Sequence, residues 1–375
     1  MEIPVHVGVL AAVFAIAVAL GAVTHKTNFC AMGAVSDWVN IGDTGRMRAW
    51  VFAMAVALAG VVALEAASAI NLSQPTFPPY RTANFGWLRY LLGGVMFGVG
   101  MTLASGCGNR TLVRIGGGNL KSLIVALVFA GSAYLMLWTP LFEKAFLPWV
   151  AATTINLQSY GVANQELGTV LSGMFGMPLS KPFNLAVAAA VAGGMIWWVF
   201  KSADFRGESG HILGGAVVGL AVIAGWWITG GAIGREWKEY AELATVAPSR
   251  VQTQSFTFVA PMGDTLRYAL DPLNLSLVNF GVMALTGVAV GALLHAGFSR
   301  EFRIEWFAGW GDFFNHVAGG ALMGIGGVLA MGCTFGQAIS GMSTLAIGSI
   351  LTFLAIVIGA AGTMRYQYWR ISRET

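Results

Sequence analysis

Residues 93–107 read GGVMFGVGMTLASGC, and residues 319–333 read GGALMGIGGVLAMGC. Eight of the fifteen positions are identical: four glycines within the run, one Leu, one Ala and the closing Gly-Cys pair. Each copy is a glycine-rich apolar helix that stops at a cysteine, Cys107 in one and Cys333 in the other. In a membrane protein, two related helices broken at the same chemistry predict an internal repeat with a site at its centre.

The rest of the chain fits that setting. Hydrophobic residues make up 56% and charged residues 10% of the 375, and the mean hydropathy is +0.70. Apolar runs near 4–24, 49–70, 87–106, 120–139, 183–200, 211–231, 275–296, 318–332 and 344–362 approach or reach the roughly 20 residues that cross a bilayer. The expected fold class is an all-α polytopic membrane protein with about nine transmembrane helices and an internal, inverted pseudo-symmetric repeat. Residues 1–375 read as one integral membrane domain, with repeat halves of approximately 1–140 and 211–375. The polar insert 232–274 reads as an extramembrane loop with a short surface helix, and 140–182 as partial or interfacial helices. The start, MEIPVHVGVL, lacks a basic n-region and reads as a retained first helix, not a cleaved signal.

Charge sets topology more than it suggests partners. The net charge is +4, but the cations lie beside hydrophobic spans, and no basic run tracks a nucleic acid. With the N-terminus outside and the C-terminus inside, thirteen of the twenty-one Lys and Arg fall on inward segments, among them Arg110, Arg114, Arg300 and Arg303. This topology makes the helices before Cys107 and Cys333 antiparallel. A second echo, Gly21 and His25 against Gly291 and His295, would then run parallel, so the two echoes do not share one symmetry operator.

Three segments concentrate the chemistry: KTNFCAMGAVSD around Cys30, SGCGNRTLVRIGGG around Cys107, and MGCTFGQAISGMST around Cys333. Each sets a cysteine where an apolar span meets small and polar residues. A helix break frees backbone N–H groups that lipid does not satisfy, so it belongs beside a protein-lined cavity. Such N–H groups form an anion site. Gly106, Gly108 and Gly332 flank the thiols, and Thr111, Thr334, Gln337, Ser340 and Ser343 add neutral donors. A thiol buried away from cations keeps its proton and is a weak donor, suited to a soft sulfur acceptor that must also leave.

Blander readings stand beside these. A lone membrane cysteine usually just packs; Cys107 and Cys333 depart from that through their matched contexts, while Cys30 has no copy. The glycine rows read first as packing faces, and Gly116–Gly118 as a turn. Glu65 lies near a helix end and reads as reaching for the interface, with proton carriage the alternative. His25 and His295 read as interfacial, and Arg114 as a topology determinant. The three cysteines form no Cys-x-x-Cys or zinc-spaced set. No metal ligand set, cofactor motif or catalytic residue is expected.

At the three cysteine segments the chain resembles the YeeE/YedE family of bacterial inner-membrane sulfur transporters. The match is carried by Asn-Phe-Cys ending at Cys30, Gly-Cys-Gly followed by Thr-Leu-x-Arg over 106–114, and Gly-Cys-Thr-x-Gly-Gln-x-x-Ser-Gly over 332–341. The resemblance implies thiosulfate uptake through cysteines that contact the ion in turn by S–H–S hydrogen bonds. It also implies an hourglass of helices with short re-entrant helices at its waist, Cys107 and Cys333 central and Cys30 toward the cytoplasmic exit. A small TusA-like sulfur-carrier protein is the implied cytoplasmic partner. Asn109-Arg110 stands where smaller residues are expected. The function expected is therefore an inner-membrane permease for thiosulfate or a related sulfur anion. The alternatives are a membrane thiol enzyme or a selenium-compound transporter in which a cysteine accepts sulfur or selenium covalently.

Overall fold

A computed structural model describes residues 4–73 and 75–374. The helices are α1 (Val5–Lys26), α2 (Ala31–Ile41), α3 (Gly45–Ala66), α4 (Trp87–Leu103), α5 (Gly108–Gly116), α6 (Leu120–Trp138), α7 (Leu147–Ala152) and α8 (Leu167–Met174). They continue as α9 (Lys181–Phe200), α10 (Ala203–Gly207), α11 (Ser209–Gly230), α12 (Ala232–Leu243), α13 (Val259–Leu270), α14 (Phe280–Phe298), α15 (Trp310–Leu329) and α16 (Ile347–Glu374). A π-helix occupies Thr334–Gly341. Among the described residues nine segments, containing α1, α3, α4, α6, α9, α11, α14, α15 and α16, are long and apolar enough to cross a bilayer. The protein is an all-α, multi-pass membrane protein, as its long apolar runs predict.

The repeated stretch makes the central contact. Helix α4 packs between α15 and α16, and α1 packs along α14. A Cβ built on Gly93 would lie 2.7 Å from the Gly326 carbonyl oxygen, and one on Gly326 2.8 Å from that of Gly93. Gly100 and Gly319 oppose each other the same way, at 2.8 and 2.6 Å. The glycines of one copy thus receive the backbone of the other, antiparallel, as the packing reading predicts. Gly94 and Gly98 face α16, whereas Gly320 and Gly324 face α6.

The insert 232–274 departs from its sequence reading. Helix α12 is a surface helix, but residues 253–264 are buried throughout. Thr253–Gln254 pairs in parallel with Thr76–Phe77, and α13 packs on α6. Several of the polar side chains that suggested solvent are satisfied internally. The Thr229 hydroxyl accepts from the Gln254 N–H at 2.9 Å, Ser255 donates to the Val222 carbonyl at 2.8 Å, and Arg250 meets the Asp264 carboxylate at 2.8 Å. Segment 140–182 holds the short helices α7 and α8, as expected.

Candidate functional site

One backbone device recurs at all three cysteines. Helices α1, α4 and α15 end one residue before Thr27, Ala104 and Ala330, and the next residues, Asn28, Ser105 and Met331, take left-handed φ values of 50°, 56° and 57°. Two backbone hydrogen bonds close each end: Phe29 N–H to Thr24 and Asn28 to His25; Gly106 to Met101 and Ser105 to Thr102; Gly332 to Gly327 and Met331 to Val328. This is the Schellman pattern, here built without glycine at the left-handed position. It turns the chain so that the second residue on, Cys30, Cys107 or Cys333, becomes the N-cap of a short helix: α2, α5 or the π-helix. The Cys30 sulfur accepts from the Gly33 N–H at 3.4 Å, and the Cys333 sulfur from the Gly336 N–H at 3.3 Å.

The three breaks converge. Cys30, Cys107 and Cys333 are all free and buried. The Cys30 and Cys107 side chains are close neighbours, and Thr334, next to Cys333, also stands beside the Cys107 thiol. Cys30, whose sequence context has no copy, therefore sits with the repeated pair. All ten residues expected at the site are buried: Cys30, Cys107, Cys333, Gly106, Gly108, Thr111, Gly332, Thr334, Gln337 and Ser340.

Their roles separate by hydrogen bonding. Thr111 donates to the Cys107 carbonyl at 3.0 Å, and Ser340 to the Phe256 carbonyl. Gln337 donates to the Ala330 carbonyl at 2.6 Å and accepts from Ser349 at 2.6 Å. Ser343 is likewise held, between Trp226 and the Ser340 carbonyl. These four groups brace the broken backbone. The oxygens with no conventional partner among the described residues near the waist are those of Thr334, Thr257 and Asn109. The Thr257 hydroxyl faces Gly336 from the buried part of the insert. A buried oxygen left unpaired costs about 1–3 kcal/mol, which sets these three apart from the bracing groups.

A cavity approaches the waist from each side. One, of about 270 Å³, lies on the face where α1 begins, lined by Phe77, Pro78, Arg89, Phe142, Thr257 and Gly332. Arg89 caps the end of α15 there, donating to the Leu329 and Val328 carbonyls at 2.7 and 3.2 Å. The other, of about 240 Å³, opens on the face where α1 ends, lined by Asn28, Arg110, Arg114, Asn119 and Arg303 among others. The gap beside Cys30 itself has no room for a water-sized sphere. The two chambers thus stand on opposite faces of the molecule, one beside the Cys333 turn and one beside the Cys30 and Cys107 turns.

A family model described as "Sulphur transport" matches residues 26–362. The chain belongs to the sulphur-transport family. The resemblance carried by the three cysteine segments is thereby borne out. Two relatives are named thiosulfate transporter TsuA, from Escherichia coli (strain K12) and Spirochaeta thermophila, each 25% identical to this chain. The first alignment covers 85% of this chain and 83% of the relative, the second 90% and 93%.

Other residues of this family member sit differently from their sequence reading. Glu65 lies in the last turn of α3, and both its oxygens take Arg81, at 2.8 and 2.9 Å, while Arg81 also meets Glu166 at 3.2 Å. Arg81 further donates to the Thr344 carbonyl at 2.9 Å, tying this cluster to the segment after the π-helix. Arg114 donates to the Ser105 carbonyl at 2.8 Å, and Arg110 to Asn28 at 3.0 Å, so both brace cysteine turns besides contributing positive charge. Thr257 carried no readable signal, because it lies in the polar run VQTQSFTF.

Proposed function

We propose that this chain is an inner-membrane permease that takes up thiosulfate or a related sulfur anion through a relay of its three thiols. The observation that carries the reading is that three free, buried thiols each cap a short helix, with Cys30 and Thr334 both beside Cys107. The names of the two relatives support the choice of anion. The cation distribution favours α1 starting outside, with the basic chamber at the cytoplasmic exit. The residues 1–140 and 211–375 would then be the repeat halves, and a TusA-like carrier would receive sulfur at that exit.

The anion enters the chamber beside Arg89, is met by Thr257 and Cys333, and passes to Cys107 and Cys30. Each thiol donates a weak S–H bond to the soft terminal sulfur. The N–H groups of α2, α5 and the π-helix add partial positive charge without a fixed cation. Shallow successive sites let a dianion leave, where a buried guanidinium would hold it. Beyond the waist, Arg110, Arg114 and Arg303 draw it out.

The test is uptake of labelled thiosulfate by liposomes and growth on thiosulfate as sole sulfur source. Cys107→Ala and Cys333→Ala, folded and inserted, are expected to lose at least about tenfold, roughly 1.4 kcal/mol of barrier. Normal uptake by both would overturn the relay. A second reading has one observation in its favour: Arg110 and Arg114 both act electrostatically on Cys30. There a Cys30 thiolate would attack the outer sulfur of thiosulfate, forming a persulfide and releasing sulfite. A stable added sulfur found by mass spectrometry would select it.

A further inference from the structure

Gly21 with His25 on α1, and Gly291 with His295 on α14, form the sequence echo that the thiol path leaves unused. The structure gives it a geometry. A Cβ on Gly21 would overlap the Val288 carbonyl, and one on Gly291 the Val18 carbonyl, so the parallel helices touch backbone to backbone through reciprocal contacts. One turn further on, this closeness brings the two imidazoles together, tilted at 46°, with Nδ1 to Nδ1 at 3.1 Å and ring centroids 5.1 Å apart. The Glu301 carboxylate, from the loop after α14, stands 3.6 Å from His25 Nδ1. All three donor atoms lie within 4.8 Å of one another.

We propose that His25, His295 and Glu301 form a divalent transition-metal site, of the zinc class, at the mouth of the basic chamber. Bonds of about 2.0–2.2 Å from nitrogen and oxygen set donors about 3.3 Å apart in a tetrahedral site. The two nitrogens already stand near that spacing. Glu301, with its side chain 59% exposed, closes the rest by rotating. Two imidazoles and a carboxylate suit zinc, and three protein ligands leave a fourth position open to the chamber. The Ser299 hydroxyl lies 3.5 Å from both ring nitrogens of His295, where it can help to orient the ring. Arg110, Arg114 and Arg303 oppose a cation here, and Glu301 and Glu305 offset them. The bound ion would pin the end of α1 to α14, five residues before Cys30, whatever the protein transports.

The experiment loads purified full-length protein with Zn²⁺, desalts it and measures metal by elemental analysis, with Co²⁺ as a spectroscopic substitute. One equivalent is expected, with a tetrahedral nitrogen–oxygen Co²⁺ spectrum. His25→Ala and His295→Ala should each weaken binding at least about tenfold, and Cys107→Ala should leave it unchanged. Where an alanine variant does not fold, His295→Asn replaces it, and loss of the Zn²⁺-induced rise in melting temperature is read instead. Background metal in the unmodified protein, undiminished occupancy in both histidine variants, or a thiolate band in the Co²⁺ spectrum would overturn the site.

Discussion

Two buried threonines near the waist are opposite in physics. Thr111 donates to the Cys107 carbonyl and is spent on structure, while Thr257 is 4% exposed with an unpartnered hydroxyl. Thr111→Val should therefore cost about 0.5–1.5 kcal/mol of stability, read by thermal unfolding. Thr257→Val should leave stability unchanged or raised and slow uptake, separating a bracing hydroxyl from one that waits for a guest. An equal loss of stability in both would refute the distinction. The thiols, Thr334 and the bracing groups were legible because they follow recognisable breaks in apolar runs. Thr257 was not, since a polar insert and a buried polar strand have the same composition; only the partners of Gln254 and Ser255 tell them apart. The ion pair of Glu65 was not legible either, because its partner, Arg81, lies sixteen residues on in a loop.

At the scale of elements, the glycines decide how near the helices come. Gly291 and Gly297 both lie on α14, yet a Cβ on Gly291 would strike the Val18 carbonyl, whereas one on Gly297 meets nothing within 4 Å. Gly291→Ala should destabilise by about 1–3 kcal/mol through forced separation of α1 and α14. Gly297→Ala should be neutral or stabilising by up to about 1 kcal/mol, because alanine favours the helix. Denaturation in mild detergent compares the two, and equal effects would remove the close-approach argument. The spans themselves were legible from hydropathy alone. The ends were less so: α15 starts eight residues before the expected 318, where Asp312 pairs with Lys121 and His316 at 3.0 Å each and lets the polar first turn stay helical. The common Schellman turn before each cysteine was hidden, because Asn28, Ser105 and Met331 give no left-handed signal of the kind glycine would.

Across the whole molecule, the two chambers differ in charge, and a third, of about 500 Å³, holds Glu65, Arg81 and Glu166. Burial pushes the Glu166 carboxyl above its ordinary range, and Arg81 only partly offsets this. A raised folded-state value means that the folded protein binds this proton more tightly than the unfolded chain. Its contribution to stability is therefore full below the ordinary glutamate range and falls as pH rises through the folded value. Glu166→Gln should flatten that part of the stability–pH curve; an unchanged profile of melting temperature against pH would refute the assignment. The antiparallel mating of α4 and α15 bears on motion as well. Gly93 with Gly326 and Gly100 with Gly319 mesh like the teeth of two racks, and a slip of one notch would drive Met96 or Leu322 into the opposing spine. A frame keyed this way resists sliding of one copy along the other, and leaves adjustment at the cysteine turns to side chains and short helices.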